Sequence, residues 1–194
     1  MNDNRNKLVT VALIVWACLA LVIGAGGWFR DASAPAIAIT VWSLTALALL
    51  ACWKIGSIRA WAMNVDLRWL VLFHGTRSFA GGYFLVLCWR RELPCAFATP
   101  AGWGDIIVAV LAFALLGTMQ VRFAKTLLTV WNTIGFVDIV VVVVSALRFG
   151  LKDWQSMHAL RELPLSLLPT FLVPLIIGSH ILIFVRLAAP NKSD

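Results

Sequence analysis

Six apolar runs, at residues 8–29, 35–53, 69–89, 101–119, 127–147 and 165–185, dominate the sequence. Each matches the roughly 20 residues that a helix needs to cross a hydrocarbon layer about 30 Å thick. The breaks between them are too short to hold an extramembrane domain, so the expected fold is all-α. It is a polytopic membrane protein, one compact bundle of six transmembrane helices over residues 1–194 with short interfacial helices. Only 13% of the residues are charged and 61% are hydrophobic, against about 25% charged in a soluble domain. A water-soluble globule is excluded on that ground, and the lipid bilayer becomes the expected partner.

The excess of 16 Lys and Arg over nine Asp and Glu gives a net charge of +7. Those basic residues are scattered through the breaks rather than gathered in a stripe, which argues against nucleic acid as a partner. They read instead as topology. With the N-terminus in the cytoplasm, Arg5, Lys7, Lys54, Arg59, Arg68, Arg122, Lys125, Arg186 and Lys192 fall inside. Arg30, Arg90, Arg91, Arg148, Lys152 and Arg161 fall outside, so the nine-to-six bias favours a multi-pass protein of the inner (plasma) membrane with both termini cytoplasmic. Trp28, Trp53, Trp61, Trp69, Trp89, Trp103 and Trp154 lie at or near the expected helix ends, where indole rings gain from the headgroup layer. The first run follows Arg5 and Lys7 like a signal peptide, but it is too long for one and reads as a retained anchor helix.

Two breaks carry a helical pattern of their own. Ile55, Ile58, Trp61, Ala62 and Val65 recur on one face of the second break, and Leu151, Trp154, Met157, Leu160 and Leu163 do so in the last one. Pro164, Pro169 and Pro174 make the sixth helix the one expected to kink. Cys18 and Cys52 read as helix-packing residues. Cys88 and Cys95 flank an outer break and can pair if that face is oxidising, unless Cys88 lies within the third helix and points away. Metalloprotease, phosphate-loop and nucleophile-elbow motifs are all lacking, so an enzyme of a soluble type is unsupported.

Ionisable groups inside apolar runs are the default place to look for function. His74 and Arg77 in the third run, Asp138 in the fifth and His180 in the sixth qualify, with Asn132 as a neutral companion. At about 1.5 Å per residue, His74, Asn132 and His180 each lie roughly 8 to 9 Å from the inner edge. Arg77 and Asp138 lie about 14 and 17 Å in, near the midplane, where an ion pair is expected. His74 and Arg77 share a helix face, and Asn132, Gly135 and Asp138 form a stripe on the fifth helix. The bland alternative is that these groups only hydrogen-bond neighbouring helices. Asp105 reads as a first-turn carboxylate favoured by the helix dipole, or else as the outer mouth of a polar pathway. His158 reads as solvated.

The segments His74-Gly75-Thr76-Arg77, Pro100 to Asp105, Trp131 to Asp138 and Pro164 to Pro174, followed by His180, resemble a group of small bacterial integral membrane proteins of uncharacterised function. The resemblance covers the second half of the chain best. It implies a six-helix membrane protein and carries over no catalytic residue.

Three functions follow from the residues. One is a small transporter or proton-coupled permeation unit whose pathway uses His74, Arg77, Asn132, Asp138, His180 and Asp105; with six helices it would need a homodimer or a larger membrane complex for alternating access. A second is a non-catalytic membrane subunit or scaffold. The third is a redox protein holding haem b, with His74 and His180 as the axial ligands to its metal. The transport reading further expects His74, Asn132 and His180 to converge in a layer open to the cytoplasm, beneath the Arg77 and Asp138 pair.

Overall fold

The computed structural model describes residues 2–119 and 123–189, which leaves the basic residues Arg122 and Lys192 outside the described residues. Among the described residues the chain is helical, with no strand. The helices are α1 (Asn2–Ala25), α2 (Ala34–Lys54), α3 (Gly56–Asn64), α4 (Leu67–Phe73), α5 (Arg77–Trp89), α6 (Cys95–Thr118), α7 (Ala124–Lys152) and α8 (Val173–Ala188). A 3₁₀ turn at His74–Thr76 joins α4 to α5, a second covers Gln155–Arg161, and a π turn at Leu168–Leu172 leads into α8. Taken through these joints, six helical stretches are long and apolar enough to cross a membrane.

The boundaries shift from the sequence expectation for local reasons. α1 ends at Ala25, short of residue 29, because Gly27 adopts a left-handed φ of 69°. The amides of Gly27 and Trp28 then turn back to the carbonyls of Gly24 and Ile23, the glycine-dependent closure that satisfies a helix's last carbonyls. α5 stops in the same way, with Arg91 at φ 61° and the Arg91 and Glu92 amides on the Cys88 and Leu87 carbonyls. α2 starts where Ser33 caps it and Pro35 fills an early position that needs no N–H.

α6 departs furthest from expectation. It starts at Cys95 rather than at residue 101, and Pro100 lies inside it. The early start follows from a tight corner, since Cys88 near the end of α5 is disulfide-bonded to Cys95 at the start of α6. The two helices then run antiparallel and close. A Cβ on Gly81 would collide with the Gly102 carbonyl, and one on Gly102 would lie 2.8 Å from the Gly81 carbonyl. Small residues at both positions are what permit backbones to approach this far.

The proline-rich segment before α8 is interrupted, as its composition implies. Pro174 lacks the N–H that would take the Thr170 carbonyl, and the Trp16 indole of α1 donates to that carbonyl instead at 2.8 Å. Trp16 also packs edge-on against Phe171. The short helix expected in the second break is α3, and the last break forms the 3₁₀ turn at Gln155–Arg161. At that end Arg161 donates to the Arg30 carbonyl and lies over the Trp154 ring, whose indole donates to Ala32. At the opposite end Arg186 donates to the Val65 carbonyl. Most of the core comes from α4 to α8, joined by Val41 of α2 and by Met157 and Leu160 of the 3₁₀ turn, whereas α1 and α2 leave Leu19, Val22, Ile39 and Leu47 exposed.

Candidate functional site

The 3₁₀ turn at His74–Thr76 sets the geometry. Three residues per turn eclipse positions i and i+3, so His74 and Arg77 project together into the space between α6, α7 and α8. Both are fully buried, and Phe113 covers Gly75 so closely that a Cβ there would lie 2.6 Å from the ring.

Arg77 serves three acceptors. Its Nε donates to Asp105 Oδ1 at 2.6 Å, its Nη1 to the Gly135 carbonyl at 3.1 Å, and its Nη2 to Asp138 Oδ2. The expected pair of Arg77 and Asp138 is therefore present. The planar guanidinium suits this role because its donors form a rigid fork that can face several oxygens at once. Relative side-chain exposure is 0% for Arg77, 5% for Asp105 and 21% for Asp138, so Asp138 is the member with an open edge. Gly104 makes room for it, since a Cβ there would collide with Asp138 Oδ1.

The first-turn role expected of Asp105 is overturned. Because α6 begins at Cys95, Asp105 lies well inside the helix, far from the terminal amides, and is buried against Arg77. Its partnership was hidden because the apolar run starts at residue 101, whereas the helix starts six residues earlier and carries Pro100 within it.

His74, Asn132 and His180 do converge. Asn132 Oδ1 lies 2.8 Å from His180 Nδ1, while Asn132 Nδ2 donates to the His180 carbonyl at 3.0 Å. The rings of His74 and His180 have centroids 4.1 Å apart, and Trp131 packs against both. Ser179, which sequence reasoning missed, holds His74 Nε2 at 3.1 Å. Its signal was only its position beside His180. Gly135 lies against the layer, where a Cβ would meet His180 Cε1 at 2.7 Å and Nε2 at 3.0 Å. Two of the ring nitrogens, His74 Nδ1 and His180 Nε2, are buried without a partner.

Two finer expectations fail. None of the three residues has exposed surface, so the layer is sealed rather than open to one side. Trp131, Phe73 and Phe136 close around it. Nor can His74 and His180 bracket a haem, because rings in van der Waals contact leave no space for iron and porphyrin between them. His158 is exposed, as expected. A cavity of about 20 Å³ adjoins Arg77, Asp105 and Ile176, and a second of about 70 Å³ lies between Ala38, Val142 and Val173.

The residues that build this site, from α4 to α8, fall within residues 34–188, which match the model of the family described as Domain of unknown function (DUF8737). The chain belongs to that family. No curated protein and no solved structure matches it. The DUF8737 match therefore sets the extent of the common unit, and the chemistry has to come from the site itself.

Proposed function

We propose that this chain is a polytopic protein of the plasma membrane, a bundle of six transmembrane helices, and that its buried charge site makes it a small proton-coupled permeation unit. The single observation that carries the reading is a charge count. One guanidinium lies between two carboxylates, a formal charge of −1 where two of the three side chains are almost wholly buried. An unbalanced charge in a low-dielectric interior is strongly disfavoured. A site of this composition is completed by taking up one proton, and Asp138, with its partly exposed edge, is the group through which the proton exchanges. The cavity beside the site, about 20 Å³, is far below the several hundred Å³ typical of pockets for organic ligands. That disparity favours a proton over a larger solute.

The exposed apolar side chains of α1 and α2 suit lipid. The disulfide at the corner between α5 and α6 suits an oxidising outer face, which with six spans supports the reading that both termini are cytoplasmic. The sealed imidazole layer favours the second reading, a membrane scaffold whose polar groups only fix helix packing. Proteoliposomes separate the two. With a potassium diffusion potential applied and a pH-sensitive dye inside, the proton-coupled unit carries a flux above that of protein-free liposomes, and Asp138→Asn abolishes it. A wild-type flux equal to that of empty liposomes overturns the reading in favour of the scaffold.

A further inference from the structure

The hydrogen bonds around the imidazole layer fix where its protons sit. Ser179 Oγ donates its hydrogen to the Ile176 carbonyl at 2.9 Å, so toward His74 Nε2, 3.1 Å away, it can only accept. His74 therefore carries its hydrogen on Nε2, which leaves Nδ1 as a bare lone pair. The Asn132 amide is oriented by its own bond, since Nδ2 must face the His180 carbonyl. Its Oδ1 then faces His180 Nδ1 and can only accept. His180 carries its hydrogen on Nδ1, and its Nε2 is bare. The two nitrogens left over, His74 Nδ1 and His180 Nε2, are the two that lack a partner, both fully buried and on rings in contact. Buried polar atoms in native proteins are normally paired, and two unpaired lone pairs on touching rings mark an unfilled place for a proton.

We propose that His74 and His180 form a one-proton acceptor pair, filled by a single proton from the carboxylate side of the site. This rests on the reading of that site as proton-binding. In the transfer, the O–H bond of a protonated carboxyl breaks with its electron pair left on oxygen, and an N–H bond forms from the lone pair at His180 Nε2. The carboxyl becomes a carboxylate and the ring an imidazolium. The path runs beside Gly135, whose carbonyl accepts from Arg77 and whose Cα side faces His180 Nε2, one helical turn before Asp138. A side chain at Gly135 would cover that nitrogen. Only one proton enters, because two imidazolium rings in contact repel each other and Arg77 adds a third positive charge nearby. Arg77 at the start of α5 is the charged group that acts on both rings, and Asp105 from α6 and Asp138 from α7 are linked to the pair through Arg77. α2, which also packs against α8, has Lys54 as its one charged residue, exposed at the helix C-terminus.

The test uses the full chain, labelled with ¹⁵N-histidine, in lipid nanodiscs, with His158→Gln removing the one exposed imidazole. The nitrogen shifts report which nitrogen bears hydrogen. The expected result is hydrogen on Nε2 of His74 and on Nδ1 of His180 at high pH, with one proton shared between the two rings on acidification. The opposite tautomer at either ring, or two full protons, overturns the proposal. A second arm measures proton flux in liposomes for His74→Gln and His180→Gln against His158→Gln. Loss of flux in the first two with retention in the third supports the pair. Wild-type flux in all three overturns the pair while leaving the proton-coupled reading intact. If wild-type protein carries no flux, that reading falls, and the nitrogen shifts alone decide whether the pair exists.

Discussion

Replacing Arg77 with Met keeps much of the side-chain volume and removes the charge. Arg77 is wholly buried and holds three acceptors, two of them carboxylates on different helices. Breaking a buried ion pair by deleting one partner is worth about 3–5 kcal/mol, because the remaining charge stays buried and uncompensated. Two carboxylates are left here, so Arg77→Met should fall at the upper end of that range. The check is reversible unfolding in mixed micelles with increasing sodium dodecyl sulfate, followed by tryptophan fluorescence. Adding Asp105→Asn and Asp138→Asn to Arg77→Met removes the stranded charges and should recover all but about 1–2 kcal/mol, since uncharged replacements of buried ion networks are often near neutral. A loss below about 1 kcal/mol for Arg77→Met, or no recovery in the triple variant, would refute the electrostatic account of this site.

Alanine at Gly104 or Gly135 puts a Cβ into Asp138 or His180 and should destabilise by about 1–3 kcal/mol. Alanine at Gly82 or Gly178, where nothing lies within 4 Å, should be neutral or stabilise by up to about 1 kcal/mol through helix propensity; thermal unfolding in detergent separates the two groups. Arg91→Gly should stabilise by about 0.5–1 kcal/mol in the same assay, because the left-handed conformation of Arg91 suits glycine better. In intact cells, a membrane-impermeant maleimide should label Cys88 and Cys95 only after an impermeant reductant is added. Labelling that instead requires cell lysis reverses the proposed orientation.

Much of this arrangement was legible because polar residues stand out within apolar runs. Counting rise per residue places His74, Asn132 and His180 at one depth and Arg77 and Asp138 at another, and side chains at equal depth on packed helices have a common neighbourhood. Depth is the coordinate that a run of sequence encodes. The angle around each helix axis is set by packing, so neither the sealing of the layer by Trp131 and Phe136 nor the contact between Ser179 and His74 could be read in advance. Asp105 was misplaced for a different reason. The apolar run starts at residue 101, but the corner that ties Cys88 to Cys95 launches α6 six residues earlier. The partners of Gly81 and Gly102 show the same limit, since only the packing of α5 on α6 sets what each backbone approaches.

The central claim is that the site holds one more carboxylate than its guanidinium balances, and a double-mutant cycle on Asp105 and Asp138 tests it most directly. Either Asp→Asn change alone leaves Arg77 with one carboxylate and a balanced pair, so each should cost under about 1 kcal/mol in the micelle unfolding assay. Both together leave a buried guanidinium without a counter-charge and should cost about 3–5 kcal/mol. That non-additivity is the predicted result. Two single losses of about 2 kcal/mol or more that simply add in the double variant would mean that both carboxylates are needed in charged form, and would contradict the account.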